Sequence, residues 1–276
     1  MQISIFTDEI SRKSPERAIE MAREWGVTHV EVRMFPDGRF PAVPDAELEN
    51  FSKLLDDSGL KVSGVSPGFF KCQPDDPIIE QKLAEGLPKA CEWIQRWGSD
   101  SLTCFGCLRD ESNAVPQTVI DLVGRMADIT QQNGCRLALE NENVCWGNTG
   151  TEAAGIIRAV GSDKLTLCWD PGNSGQAGSD CPYPDEYESF KDLISHCHMK
   201  DLDPETRSWR LLGEGMIDWR GQLNALAKDG YDGFLVIETH LHIRPDEFRS
   251  IDDGLSDHEG NTFHNLEFVR RCLEEG

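Results

Sequence analysis

The sequence predicts a single-domain α/β fold, a (β/α)8 TIM barrel over residues 1–276, on three observations. Short apolar runs alternate with amphipathic stretches from end to end, the pattern of βαβ units around a parallel sheet. Eight such runs can be counted, and eight βα units in about 250 residues is the usual size of that barrel. The turn after the first run, Thr7-Asp8-Glu9-Ile10, contains no glycine, which disfavours an open, doubly wound nucleotide-binding sheet.

The first strand is read at Ile3 to Phe6. Ser14-Pro15-Glu16 then starts a helix, and Ala18, Met21, Ala22 and Trp25 share one face until Gly26 ends it. Val27 to Val32 reads as strand two, Leu48, Phe51 and Leu55 as the buried side of the next helix, and Leu60 to Val65 as strand three. A long helical region from about Pro77 to Trp97 precedes strand four at Ser101 to Phe105. Val115, Val119, Leu122, Met126 and Ile129 hold helical spacing, with Gly134 as the stop. Strands five to eight fall at Arg136 to Leu139, Leu165 to Trp169, the region of His196-Cys197-His198, and Phe234 to Ile237. A closing helix carries Leu266, Val269 and Leu273. The one G-x-G, Gly213-Glu214-Gly215, leads into Met216-Ile217-Asp218 and fails both as a dinucleotide fingerprint and as a phosphate loop.

Composition removes several function classes. Lys and Arg number 27 against 49 Asp and Glu, a net charge of −22 spread along the chain, whereas nucleic-acid binding rests on basic side chains that displace counterions from phosphates. No nucleic-acid partner is expected. No stretch approaches the roughly 18 to 20 apolar residues that cross a bilayer, so no membrane partner is expected either. Met1-Gln2-Ile3-Ser4 lacks the basic and apolar regions of a signal peptide, which points to the cytoplasm. The ten cysteines form no compact disulfide framework and are read as reduced thiols. Cys104-Phe105-Gly106-Cys107 matches a redox motif in spacing alone, and a structural zinc site would want a second such pair.

In a barrel of this kind the active site lies at the carboxyl ends of the strands. Strand five ends in Glu140, strand six in Asp170, strand seven in His198 and strand eight in Glu238. A lone carboxylate there is more often a solvated residue or a helix cap, but four polar groups in succession sit on strands only about 4.8 Å apart. Three acids so crowded repel one another unless a cation neutralises them or some stay protonated. One divalent ion solves this, and the ligand set suits Mn²⁺, Mg²⁺, Co²⁺ or Zn²⁺. Glu142 and His196 lie two residues from Glu140 and His198 and share their faces; we take Glu140 and His198 as the ligands, being nearest the strand ends. His29, His258 and His264 read as surface or helix residues, while His240 and His242 follow strand eight and could face substrate.

The motifs Thr7-Asp8-Glu9-Ile10-Ser11, Leu139-Glu140-Asn141, Trp169-Asp170-Pro171-Gly172-Asn173, His196-Cys197-His198-Met199-Lys200-Asp201, Gly213-Glu214-Gly215 and Ile237-Glu238-Thr239 resemble, in order and spacing, those of the xylose isomerase-like TIM barrels, the sugar phosphate isomerase/epimerase superfamily. The resemblance implies a divalent metal, often manganese, on Glu140, Asp170, His198 and Glu238. It also implies a reaction in which Glu140 and Glu238 flank the substrate carbon, one removing a proton beside the carbonyl and the other returning it on the opposite face, while the metal stabilises the enediolate oxygens. The partner is then a small carbohydrate, a sugar phosphate or a related polyol ketone. Lys200 matches a lysine common in related barrels, where it could bind a hydroxyl or carry a proton; Arg33 at the end of strand two has similar status. Trp146 could cover a sugar face. Several keto-sugar epimerases place a substrate-contacting His where this chain has Asn173, which weakens the transfer of that substrate class. A dehydratase of inosose-like keto compounds on the same metal is the nearest alternative. Apurinic endonucleases of this barrel resemble sites with several zinc ions and more histidines than these strand ends supply. A sugar-binding or structural barrel is the non-enzymatic reading, and the resemblance leaves room for a homo-oligomer.

Overall fold

A computed structural model of the chain describes residues 1–246 and 254–275. Eight strands, β1 (Gln2–Phe6), β2 (His29–Val32), β3 (Lys61–Val65), β4 (Ser101–Cys104), β5 (Arg136–Glu140), β6 (Leu165–Trp169), β7 (Ile194–Met199) and β8 (Phe234–Ile237), close into one barrel. Each pairs in parallel with its sequence neighbours, and β8 returns to β1. The strands are mostly apolar on both faces because helices cover the outside and the barrel's own core fills the inside, with buried polar exceptions such as Glu31, His196 and His198.

A principal helix follows each strand, with shorter helical turns such as Thr7–Ile10 and Ile78–Gln81 ahead of some: α1 (Pro15–Glu24), α2 (Asp45–Ser58), α3 (Leu87–Arg96), α4 (Gln117–Gln132), α5 (Gly150–Val160), α6 (Pro171–Gln176), α7 (Trp219–Lys228) and α8 (Asp257–Glu275). Ser14 caps α1 through its Oγ, which accepts the N–H of Arg17 at 3.1 Å, and Ala18, Met21 and Ala22 are buried as their spacing requires. Gly26 and Gly134 follow the ends of α1 and α4 at φ values of +67° and +76°, where a side chain is disfavoured. Most boundaries fall within two residues of the sequence reading. The region from Pro77 to Trp97 is helical over 78–96, in consecutive turns rather than one regular helix. Val115 lies ahead of α4, which Pro116 precedes as its N-cap.

Three short antiparallel ladders extend the loops beyond the strands: Met34–Phe35 with Gly38–Arg39, Gly106–Leu108 with Cys145–Trp146, and Asp201–Leu202 with Trp209–Arg210. They stiffen the rim on which the polar strand ends stand. No helix among the described residues is long and apolar enough to cross a membrane.

Candidate metal centre

Glu140 is the last residue of β5, and Asp170 directly follows β6. Asn141 ties these two ends together: its Nδ2 donates to the Asp170 carbonyl at 2.7 Å and its Oδ1 accepts the Asp170 N–H at 2.8 Å. His198 lies in β7 opposite Val236, and Glu238 follows β8, its N–H donating to the Met199 carbonyl. One ligand atom from each of Glu140, Asp170, His198 and Glu238 falls within 4.8 Å of the other three, and all four residues are buried. His198 Nδ1 is 3.2 Å from Glu140 Oε1 and 3.5 Å from Glu238 Oε2.

Asp170 serves two purposes with two oxygens. Its Oδ1 caps α6 by accepting the N–H of Asn173 at 2.9 Å, while Oδ2 faces the cluster. Asp170 Oδ2, His198 Nδ1 and Glu238 Oε2 are buried and make no well-aligned hydrogen bond among the described residues. The two carboxylate oxygens face the Lys200 ammonium at 2.8 and 2.9 Å, so that three polar atoms converge with capacity left for a ligand. Three carboxylates and one imidazole with converging atoms fit a divalent cation.

The orientation of His198 comes from beneath. Glu31, fully buried in β2, faces both His196 Nε2 at 2.5 Å and His198 Nε2 at 3.2 Å. Burial opposes its charge, but the two histidines outweigh this and bring its pKa down to about 2, so Glu31 is an acceptor and each Nε2 donates. His198 Nδ1 is thereby left as the nitrogen aimed at the cluster. Burial also opposes a positive His198, yet Cys168, Glu140 and Glu31 hold its pKa well above the usual range, so a proton competes with a metal ion for that nitrogen.

Two cations complete the surroundings. Lys200 Nζ lies 2.8 Å from Asp170 Oδ2, 2.9 Å from Glu238 Oε2 and 4.0 Å from Glu140 Oε1; burial works against its charge, but these carboxylates keep it an ammonium. Arg33 donates to Glu238, Glu9 and Asp8, and its guanidinium packs 4.5 Å from the centre of the Phe6 ring. For Glu140 and Glu238 burial raises the pKa, and neighbouring positive groups, His198 foremost for Glu140 and Lys200 for Glu238, lower it further than burial raises it. Both are carboxylates able to accept a proton. Asp170 differs: burial dominates and pushes it up to about 6.

The sequence model of the xylose isomerase-like TIM barrel matches residues 19–272. The chain belongs to that family. An inosose dehydratase from Lacticaseibacillus casei is 24% identical over 131 residues, 41% of this chain and 43% of that protein. An inosose isomerase from Bacillus velezensis is 26% identical over 143 residues, 49% of each. The chain thus spans less than half the length of these curated relatives. Among solved structures, a D-allulose 3-epimerase from Methylomonas sp. in complex with D-allulose superposes with a TM-score of 0.74 at 17% identity, covering 99% of this chain and 97% of that one. The IOLI protein with a bound zinc atom gives 0.77 at 16% identity, covering 100% and 99%. A xylose isomerase-like barrel from Mycobacterium smegmatis in complex with magnesium gives 0.72 at 20%, covering 99% and 96%. At these identities the structural likeness speaks for the fold.

Within this xylose isomerase-like barrel the other residues singled out by sequence take distinct places. Asn173 Nδ2 donates to Glu140 Oε1 at 3.3 Å and to the Asn141 carbonyl at 2.9 Å, so it touches the cluster. His240, 29% exposed, places Nε2 3.3 Å from Glu238 Oε1 and Nδ1 2.9 Å from Glu9 Oε1. Glu142 pairs with Lys71 at 2.9 Å in the loop, and His196 is the hydrogen-bonded barrel histidine. Trp146 is 1% exposed, within the core, beneath the Arg109 guanidinium. His258 does lie in α8 but is buried, with Nε2 3.2 Å from Glu9 Oε2. Cys104 and Cys107 are unbonded, and burial raises both thiols, Cys107 to about 12, which leaves them poor nucleophiles.

Glu31, Glu9 and Asp8 were not assigned roles from sequence. A signal existed for Glu31, a carboxylate inside the otherwise apolar run Val30-Glu31-Val32. Asp201 and the Gly213-Glu214-Gly215 motif explain each other. The carboxylate accepts the N–H groups of Leu202 (2.9 Å), Ile217 (3.1 Å), Gly213 (2.9 Å) and Gly215 (3.2 Å), and a Cβ at Gly215 would come within 2.1 Å of Asp201 Oδ1.

Proposed function

We propose that this protein is a metal-dependent isomerase or epimerase acting on a small sugar, sugar phosphate or related polyol ketone by proton transfer next to a carbonyl. The observation that carries the reading is the convergence of Glu140, Asp170, His198 and Glu238, each buried and each offering one ligand atom within 4.8 Å of the others. Those four residues would hold one divalent ion, and we take Mn²⁺ as the resident metal, with Mg²⁺, Co²⁺ and Zn²⁺ compatible with the same ligands. The zinc and magnesium held by structural relatives support a cation in this barrel. When bound, the metal supplies positive charge to the oxygens of the developing enediolate.

The chain's own groups supply the proton transfer. Glu140 and Glu238 are the two carboxylates that remove a proton and return one on the opposite face, a contribution on the order of 10² to 10⁴ in rate for each positioned base. Arg33 and His240 hold Glu238 Oε1, which turns Oε2 toward the cluster and Lys200. Lys200 remains an ammonium, so it donates to a substrate hydroxyl or carbonyl oxygen rather than acting as a base. Asn173, His240 and Arg33, each in contact with Glu140 or Glu238, would border the reacting carbon.

The test begins with metal content. Purified protein is expected to carry about one ion per chain, and Asp170→Ala to lose it. Metal-loaded protein should then exchange carbon-bound hydrogen with D₂O in D-allulose, D-fructose or an inosose, and Glu238→Gln should abolish that exchange. Absence of metal from both proteins would remove the basis of the reading. A second reading, dehydration of an inosose, is favoured by the similarity to the Lacticaseibacillus casei inosose dehydratase. Loss of water from the product, seen by mass, decides between the two.

A further inference from the structure

Of the seven tryptophans, Trp93, Trp97, Trp146, Trp169 and Trp219 are buried in the packing of the barrel. Trp25 is partly exposed but packs on Phe263 at the end of α1. Trp209 is the other part-exposed indole; like Trp25 it packs against the core, but it also borders charged groups of the cluster. The ladder between Leu202 and Trp209 fixes its backbone just beyond β7. Lys200 Nζ lies over the indole face, 5.6 Å from its centre, and is the same ammonium that contacts Asp170 and Glu238. The His240 ring meets it edge-on at 5.5 Å and 77°. Its Nε1 donates no hydrogen bond among the described residues, whereas the indoles of Trp97, Trp169 and Trp219 each donate one.

We infer that Trp209 is the aromatic wall of the substrate site, receiving the C–H face of a small polyhydroxylated ketone while its Nε1 donates to a hydroxyl. This rests on the metal-dependent reading above. A polyol offers apolar C–H patches between its hydroxyls, and a rigid indole with one polar handle matches both. The Lys200 ammonium and His240 beside it supply the polar contacts that set the orientation. A sugar-covering role read from sequence at Trp146 is thus met by geometry at Trp209, because Trp146 is enclosed and Trp209 stands over charged groups of the centre.

The experiment uses full-length, metal-loaded protein with D-allulose, D-fructose and an inosose as probes. Saturable quenching of tryptophan fluorescence is expected in the wild type and should be lost in Trp209→Phe, which retains an aromatic face but not the Nε1 donor and should raise KM by less than the alanine variant does. Trp209→Ala should raise KM about tenfold with kcat within about threefold, the size of one lost aromatic contact. Metal content and thermal midpoint, measured alongside, separate this from misfolding; if the alanine variant fails to fold, the phenylalanine variant carries the test. Turnover of any probe with KM unchanged in both variants overturns the wall and leaves the proposed reaction standing. Metal-loaded wild type that neither binds nor turns over any probe overturns both.

Discussion

At His198 the chemistry turns on which ring nitrogen is free. Glu31 takes Nε2–H, so Nδ1 points at Glu140 and Glu238, and a change at Glu31 acts on the metal centre without touching the ion. Glu31→Gln keeps the volume but offers one acceptor and one donor to two histidines that both need an acceptor. Mn²⁺ affinity, measured by calorimetry, is expected to fall about 10- to 100-fold; an unchanged affinity would show that His198 is oriented by its packing alone. The four candidate ligands at the strand ends are readable because a polar side chain follows each apolar run at one repeated position. Glu31 was harder to read: it sits inside a strand, and its partners His196 and His198 are 165 and 167 residues away.

The element that presents Lys200 is the loop after β7. Asp201 gathers four backbone N–H groups, Trp219 Nε1 donates to the Lys200 carbonyl at 3.0 Å, and Gly215 leaves room for the carboxylate. Asp201→Ala removes the acceptor and leaves buried donors unsatisfied, a loss of about 1 to 3 kcal/mol. The urea midpoint should fall accordingly, and no change would mean that the ladder at Asp201–Leu202 holds the loop without it. Sequence patterning located the barrel strands because both faces are buried and the runs are unbroken. It does not delimit α5, α6 or α7, nor the short ladders. The ladders involve only two or three residues per strand, too few for a periodicity to declare itself.

Across the whole molecule, burial and charge set the pH response. Burial raises Asp170 and Asp201 to about 6 each, whereas aspartate in the unfolded chain ionises near 3.8. Between these values the folded chain retains protons that the unfolded chain releases, so stability falls as pH rises through the window. Glu9, Glu31, Glu140 and Glu238 are shifted the other way, and their contribution is complete above about 4.5. Burial pulls His29, His242 and His264 down, which opposes this fall. The drop in the thermal midpoint of metal-free protein from about pH 4.5 to 6 is therefore read against Asp170→Asn, in which it should be smaller, while Mn²⁺ affinity climbs as Asp170 gives up its proton. Flat profiles in both measurements would contradict this account. The sequence by itself determined the barrel, its strand order and which four polar residues stand at the ends of strands five to eight, since the alternation of apolar runs and the polar residue after each run are local signals. Tertiary structure alone decided that Glu31 orients His198, that Arg33 bridges Glu238 to Glu9 and Asp8, and that Trp209 rather than Trp146 stands beside Lys200. The reason is physical: ionisation and orientation in a closed barrel depend on which side chains meet across it, and strands far apart in the chain become neighbours only when the barrel closes.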